Sequence, residues 1–360
     1  MLIYLDTSQL SQISHRKYTS SDIDKVFLDE FFRQWNQINA ELCLSLQHLQ
    51  EIAALKDKQS REERLSRLQK LKELRFSPLG WCSIIQEEAV VQMLNHISPK
   101  DYDPIRLSKE NIWKITNSKS LLNYMEQNLD ILLKSRKIYE AASEIDEIFK
   151  PIKKLLGNNT KGRIKTLKAT HPDNLEEARK IIEQLKSTDK TDGVSNIFIE
   201  KIFQAVEETG SLSNALTKLL GLEGLSDIEK RYLSDADSLA VFYKLVREAV
   251  PCVAKITGVL EMEVSHYIEK INLPSCPGFY LRTALLRALR SSDKKIGPSD
   301  WMDANHIVYA PYVDIFFADK RTYDFLRKET RNQPFRIEKP LISNIRRIVP
   351  LNKLLEEISI

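Results

Sequence analysis

Two carboxylates of this chain come shortly after segments that have the composition of buried β-strands. Asp6 follows residues 2–5, which are apolar and β-prone, and Asp319 follows residues 313–317, VDIFF. The C-terminal ends of parallel strands meet at one edge of a sheet, where α/β proteins place their active sites. The sequence therefore predicts that these two side chains lie close together.

Two further carboxylates lie on predicted helices next to such strands. Glu51 lies early in a helix predicted over 48–55, after a strand predicted at 42–46, and Asp303 lies in a helix predicted over 300–310 and ended by the following proline. Clustered carboxylates repel one another, and a fold keeps them together mainly when a cation offsets the repulsion. Carboxylate oxygens select Mg²⁺ or Mn²⁺. Such a metal polarises a phosphoryl oxygen and lowers the pKa of bound water, as phosphodiester hydrolysis requires.

Each of these residues also has an ordinary structural interpretation. Asp6 can cap the next turn or helix, and Glu51 can be a solvated helix carboxylate. Asp300 shares a helix face with Asp303, so it is either a second ligand or an N-cap. His306 lies one turn from Asp303 and is either a functional group or a half-buried histidine whose hydrogen bonds are satisfied by the fold.

The composition narrows the classes of function. In 360 residues, 42% are apolar and 29% charged, which is typical of a globular protein with a substantial core. The sequence contains no apolar run of about 18 residues, no phosphate-binding GxxxxGK[ST] motif and no arrangement of Ser/His/Asp or Cys/His that indicates a nucleophile. The four cysteines lack CxxC spacing, which favours buried free thiols in a reducing, cytoplasmic compartment. They are Cys43, Cys82, Cys252 and Cys276.

The remaining segments divide the chain into three parts. Residues 1–100 and 276–360 are predicted to form an α/β core, and residues 101–275, where strand signals largely vanish, a large all-α insertion. Within the first part, helical spacing predicts helices over 21–40 and 57–75, and the run at 81–85 predicts a short strand.

The most basic segment of the predicted insertion is 150–168, which holds seven cations and no acid. Such a block suits contacts with nucleic-acid phosphates, although an ordinary solvated surface explains it equally well. No aromatic residue interrupts it, so base stacking is not indicated there. The candidate nucleic-acid-binding residues are Lys153, Lys154, Lys161, Arg163 and Lys165.

The order and context of the four acids resemble those of the PIN-like nuclease family. Its first strand ends in an Asp and a small polar pair, its second acid lies on a helix after the second strand, its third opens a helix of the form Asp-Ala-x-x-x-x-x-Ala, and its fourth follows the last core strand. The matching residues here are Leu5-Asp6-Thr7-Ser8, Glu51, Asp303-Ala304 through Ala310, and Ala318-Asp319-Lys320. The resemblance covers about residues 1–60 and 296–330, and the helical insertion is its main departure from the family.

The resemblance implies a PIN-like core in which a central parallel sheet is flanked by helices. It also implies a metal-dependent endoribonuclease acting on single-stranded or structured RNA, with Asp6, Glu51, Asp303 and Asp319 as catalytic ligands of Mg²⁺ or Mn²⁺. Thr7, Ser8 and Lys320 are then candidates for orienting water or the scissile phosphate, or are ordinary turn residues.

Several alternatives stay open from the sequence. DNA is a substrate alternative to RNA. A non-catalytic PIN-like module that binds RNA or protein is the main rival function, and a helical interaction protein whose acids are incidental caps is another. Family analogy alone suggests a homodimer and a toxin or defence role. No membrane partner is expected, and the sequence names no inhibitor or other protein partner.

Overall fold

The computed structural model describes residues 1–14, 22–55, 57–97, 107–134, 204, 208, 236–291, 297–331, 337 and 339–359. Two compact units divide the chain. The first contains residues 1–138, 245–292 and 299–360, and the second contains 139–244 and 293–298. The sheet and the four predicted acids belong to the first unit. The candidate nucleic-acid-binding residues at 150–168 lie outside the described residues.

A six-stranded sheet organises the first unit, in the order β4-β3-β2-β1-β5-β6. The strands are β1 (Leu2–Tyr4), β2 (Glu41–Ser45), β3 (Leu74–Ser77), β4 (Lys114–Thr116), β5 (Ile315–Ala318) and β6 (Ile345–Arg347). All neighbouring strands are parallel except β3 and β4, which are antiparallel. The expected α/β class is therefore confirmed, but the sheet is mixed and not wholly parallel.

The order of the strands creates a switch point at β1. From β1 the sheet continues through β2 and β3 on one side and through β5 and β6 on the other. In α/β proteins a crevice opens at such a point, outside the C-terminal ends of the strands, and ligands bind there. Asp6 and Asp319 follow the two strands that flank this point, β1 and β5.

Helices of the first unit flank the sheet, and the described residues form thirteen α-helices in all. They are α1 (Thr7–Ser14), α2 (Asp22–Gln37), α3 (Leu46–Ala53), α4 (Lys58–Arg67), α5 (Trp81–Ile97), α6 (Lys109–Ile112), α7 (Ser118–Gln127), α8 (Ala236–Thr257), α9 (Glu261–Ser265), α10 (Pro277–Ser291), α11 (Pro298–His306), α12 (Lys320–Glu329) and α13 (Leu351–Ser359). Among the described residues, no helix is long and apolar enough to cross a bilayer.

The two faces of the sheet differ because successive side chains of a strand point to opposite sides. On one face, Ile3 and Phe317 join a large aliphatic and aromatic core that includes Trp35 of α2. On the other face, Tyr4 stacks on Phe316 with ring centroids 4.7 Å apart, and on Tyr309 at 5.7 Å. Tyr4 thus lies at the centre of the aromatic face, two residues before Asp6.

Several local predictions were wrong, and tertiary contacts explain why. The charged helix predicted to 75 ends at Arg67, and β3 follows, since Leu74 and Phe76 enter the core when β3 pairs with β2. Residues 81–85 are not a strand but the start of α5, because their apolar side chains continue at helical spacing to Leu94. Near the C-terminal acids, α11 ends at His306, and Pro311 lies inside a 3₁₀ helix, Ile307–Tyr312.

The structure also contains a second strand that the sequence did not indicate. The strand β4 lies within the predicted all-α insertion and forms the antiparallel edge of the sheet. Its three residues are largely exposed, and Ile115 is 77% exposed. A strand with no buried face carries no alternating pattern, so its position depends on backbone pairing with β3 alone.

Candidate metal centre

Three of the four predicted acids converge at the switch point of the sheet. One carboxylate oxygen from each of Asp6, Asp303 and Asp319 lies within 4.8 Å of the other two, and all three residues are half-buried. Among the described residues, this is the one group of at least three Asp, Glu, His or Cys side chains close enough to share a metal ion. The structure thus brings together three of the four acids that the sequence predicted to share one metal site, and Glu51 is not in this group.

Each member of this acidic triad comes from a different element. Asp6 follows β1, and its Oδ1 accepts a hydrogen bond of 2.7 Å from the Ser8 backbone N–H. Asp319 follows β5 and caps α12, accepting from the Arg321 N–H at 2.7 Å and the Thr322 N–H at 3.2 Å. Asp303 lies in the middle of α11. Backbone donors thus orient two of the three carboxylates before any ligand binds.

The electrostatics of the triad suit a cation. Burial raises the pKa of Asp303 well above its usual range, and the nearby Asp319, Asp6, Glu51 and Asp300 raise it further. Burial also raises the pKa of Asp6 against the hydrogen bonds from Ser8. In the part of the chain that the structure describes, no lysine or arginine forms an ion pair with any of the three triad carboxylates. A divalent cation would remove this repulsion.

The spacing and chemistry of the triad also fit Mg²⁺ or Mn²⁺. Oxygens on one Mg²⁺ ion lie at most about 4.2 Å apart, twice the Mg–O distance of about 2.1 Å. The separations here, up to 4.8 Å, need only small side-chain movements to reach that value. Three hard, anionic oxygens and no sulfur or imidazole favour these ions over zinc or copper.

Glu51 lies beside the triad but in a different set of contacts. It is the sixth residue of the eight-residue helix α3, and therefore not in the early turn that the sequence predicted. Its Oε2 accepts a hydrogen bond from the Thr7 hydroxyl and lies 3.5 Å from His306 Nε2. Burial acts to raise the pKa of Glu51, but His306, Thr7 and His48 outweigh it, so the pKa lies below its usual value. Glu51 is thus a carboxylate held in its charged form.

A buried chain of polar groups holds His306 against Glu51. Tyr4 Oη contacts both His306 Nδ1 and Ser45 Oγ, the latter at 2.6 Å. His306 Nε2 also lies 3.4 Å from the Thr7 hydroxyl. Because both ring nitrogens contact fixed partners, the imidazole can present only one orientation to Glu51.

A second histidine, His48, belongs to the same hydrogen-bond network. His48 Nε2 donates to the Leu5 carbonyl at 2.9 Å, and its Nδ1 accepts from the Ser45 backbone N–H at 3.1 Å. Burial, together with the neighbouring His306, lowers the pKa of His48 to about 3. His48 is therefore a neutral, structural imidazole.

The other predicted site residues, Ser8, Lys320 and Asp300, lie outside the triad. Ser8 is exposed and contributes its backbone N–H to Asp6, while Lys320 is the exposed first residue of α12. Asp300 is 5% exposed and accepts a 2.5 Å hydrogen bond from Arg321 Nη1. Because the charge of Asp300 is already paired with Arg321, Asp300 differs from the three triad carboxylates.

Sequence reasoning missed Tyr4, His48 and Arg321. For Tyr4 and His48, the spacing from a predicted acid could have indicated their place at the site. Tyr4 precedes Asp6 by two residues and so shares its side of the strand, and His48 precedes Glu51 by three and so shares its helix face. Nothing in the sequence indicated that Arg321 pairs with Asp300, because the two belong to elements brought together only by the fold.

Comparison with known proteins gives no relative. The chain matches no protein-family model, no curated protein and no solved structure. The functional argument therefore depends on the geometry and electrostatics of the site.

Proposed function

We propose that this protein is a metal-dependent phosphodiester hydrolase that cleaves RNA, with a PIN-like core. The observation that carries the proposal is the approach of Asp6, Asp303 and Asp319 within 4.8 Å at the switch point of the sheet. Three carboxylates without an ion-paired lysine or arginine form a costly arrangement in a folded protein. Such a cluster is expected chiefly where a bound cation offsets the repulsion as part of the protein's function.

In this proposal Asp6, Asp303 and Asp319 hold Mg²⁺ or Mn²⁺. The bound metal supplies a polarised phosphoryl oxygen and a bound water of lowered pKa. Backbone N–H groups of Ser8, Arg321 and Thr322 keep the Asp6 and Asp319 carboxylates in place while substrate binds.

Glu51 and Lys320 have separate roles in the proposed reaction. Glu51 is charged and held at Oε2 by Thr7 and His306, so it is oriented to accept a proton from an attacking water. Lys320, exposed next to Asp319, is positioned to contact a phosphate and offset its charge. The reaction needs no nucleophilic side chain.

Cleavage of a mixed pool of single-stranded RNA with Mn²⁺ or Mg²⁺ tests the proposal. We expect Asp6→Asn and Asp303→Asn to lower metal-dependent cleavage by at least about 100-fold. Asp324→Asn is the matched control, because it removes an exposed carboxylate of α12 outside the triad. Cleavage that persists in both triad variants, or that does not need the metal, would contradict the proposal. Metal-independent RNA binding without any cleavage would instead favour the non-catalytic module.

A further inference from the structure

A pocket of about 740 Å³ lies along α12, the helix that Asp319 caps. One wall is formed by α12 and the other by a 3₁₀ helix, Lys339–Ile342, together with the start of β6. The residues of its lining that matter here are Tyr323, Leu326, Arg327, Arg331, Lys339 and Ile342. The volume is typical of a ligand-binding site.

The pocket begins one helical turn from the acidic triad. Tyr323 and Arg327 are four residues apart on α12 and so are neighbours on its surface, and Arg331 follows two residues after the helix ends at Glu329. At about 1.5 Å per residue, the helix places Tyr323 about 6 Å along its axis from the Asp319 N-cap. A ligand that lies in the pocket and extends past Tyr323 therefore reaches the metal-binding carboxylates.

The described residues of the lining carry charge of one sign. Arg327, Arg331 and Lys339 are exposed, and no carboxylate is among these described lining residues. Within the described segments, none of these three cations forms an ion pair. The nearby Glu329 does not neutralise them, because its 4%-exposed side chain pairs with Arg287 of α10.

The pocket also contains an aromatic platform. Tyr323 is half-buried at its end nearest the triad, and Leu326 and Ile342 add apolar surface. Cations that follow a groove together with an aromatic side chain are the arrangement by which proteins bind single-stranded nucleic acid, with phosphates on the cations and a base on the ring.

We infer that this pocket binds the single-stranded nucleic acid on which the triad acts. Phosphates contact Arg327, Arg331 and Lys339, a base stacks on Tyr323, and the strand continues to Asp319. The inference rests on the proposed function for the direction of the strand. The recognised chemistry, a phosphodiester backbone with an unpaired base, is shared by RNA and DNA.

The test is binding without a divalent metal, so that it does not depend on catalysis. The affinity of the full chain for a fluorescein-labelled RNA of about 12 nucleotides is measured by fluorescence anisotropy in EDTA, over a series of salt concentrations. DNA of the same sequence forms the second arm. The variants are Arg327→Gln, Arg331→Gln, Tyr323→Leu and Tyr323→Phe. Lys328→Gln is the matched control, because Lys328 is an exposed cation of the same helix that does not line the pocket.

We expect each arginine variant to weaken binding and to reduce the slope of log K against log salt by about 0.7, the value for one phosphate contact with a single strand. Tyr323→Leu should weaken binding by about fivefold or more, while Tyr323→Phe keeps the ring and the affinity. Lys328→Gln should change neither quantity. Tighter binding of RNA than of DNA identifies RNA as the ligand, and the reverse identifies DNA; both support the pocket.

Two results would overturn the inference. One is an equal loss of affinity in Lys328→Gln and the arginine variants, which would indicate general attraction to a basic surface. The other is the absence of binding to either nucleic acid. Neither result tests the proposed metal centre. The Mn²⁺ affinity of that centre is measured separately by calorimetry. Conversely, pocket-dependent binding in a chain that never cleaves RNA would support the pocket and contradict the hydrolase proposal.

Discussion

The buried carboxylate of Glu88 and the three half-buried carboxylates of the triad differ in the groups that surround them. Glu88 of α5 is 1% exposed, and it accepts hydrogen bonds from the Gly278 N–H at 2.6 Å, the Phe279 N–H at 3.1 Å and the Tyr312 hydroxyl at 2.6 Å. In the triad of Asp6, Asp303 and Asp319, one oxygen of each carboxylate lies within 4.8 Å of the other two, and the other two raise the pKa of Asp303. Burial raises the pKa of Glu88 to about 7 without any like charge, whereas like charges add to burial at Asp303.

The difference separates a carboxylate whose partners the fold supplies from three carboxylates that face one another. The hydrogen bonds of Glu88 come from the first turn of α10 and from a neighbouring tyrosine, so the fold itself supplies its partners. The triad carboxylates accept from some backbone donors, but no lysine or arginine of the described segments pairs with them, so their mutual repulsion remains. A cation would therefore stabilise the triad and have little effect on Glu88.

The largest expected effect concerns Glu88 and pH. Because its pKa is raised to about 7 in the folded protein, from an unfolded value of about 4.3, its contribution to stability is fully present below about pH 4.3 and is lost as pH rises through about 7. The loss is on the order of 4 kcal/mol. We expect Glu88→Gln to flatten the dependence of urea-unfolding free energy on pH between 5 and 8.

The control for that measurement is Glu87→Gln, the same change one residue earlier on α5. It should retain the slope of the wild type. If Glu88→Gln also retains it, Glu88 is ionised throughout this range and its three hydrogen bonds outweigh burial.

The second effect concerns metal binding at the triad. At a Mn²⁺ concentration 100 times its dissociation constant, binding to the folded protein adds about 2.7 kcal/mol. For a unit of this size that corresponds to an increase in Tm of about 5–10 °C. We expect Asp319→Asn to abolish the increase in a thermal-unfolding titration and Glu88→Gln to retain it. An equal increase in both variants would place the cation elsewhere.

A third, smaller effect probes how closely Glu88 is held. A Cβ at Gly278 would lie 2.8 Å from Glu88 Oε1, 2.8 Å from the Val308 carbonyl oxygen and 2.9 Å from Val308 Cγ1. Backbone atoms cannot move away cheaply, so Gly278→Ala should lower the unfolding free energy by about 1–3 kcal/mol. Gly80→Ala, whose Cβ would make an ordinary 3.6 Å contact with Leu46, is the matched control and should be nearly neutral.

The smallest effect concerns the repulsion within the triad. Without divalent metal, Asp303→Asn removes a charge from a cluster of like charges, and we expect it to raise stability by about 1 kcal/mol at neutral pH. Asp324→Asn, an exposed change on α12, should alter stability by less than about 0.5 kcal/mol. A metal-free Asp303→Asn protein that is less stable than the wild type would show that Asp303 has a stabilising partner, as Glu88 has.

Much of the core could be predicted because its signals are local. β1, β2 and β5 are short apolar runs, and the helix predicted over 21–40 corresponds to α2, whose apolar residues recur at helical spacing. The boundaries of α4, α5 and α11 were predicted less well, because where these helices begin and end depends on which residues neighbouring strands bury. The edge strand β4 had no sequence signal at all.

At the site, the residue types and order of the acids led to the chemistry proposed for this chain. Acids that follow strands β1 and β5 had to meet once the strands became parallel neighbours, because strands of the same polarity end at the same edge. The sequence thus predicted a carboxylate cluster at this edge of the sheet.

Only the tertiary structure decided which hydrogen-bond and ion-pair partners the other buried carboxylates have. Asp300 pairs with Arg321, Glu51 is held by Thr7 and His306, and Glu88 receives the first N–H groups of α10. Each of these contacts joins residues at least 20 positions apart, so no local pattern encodes it. The physical reason is that a carboxylate's role depends on which donors and charges surround it, and packing alone brings those together.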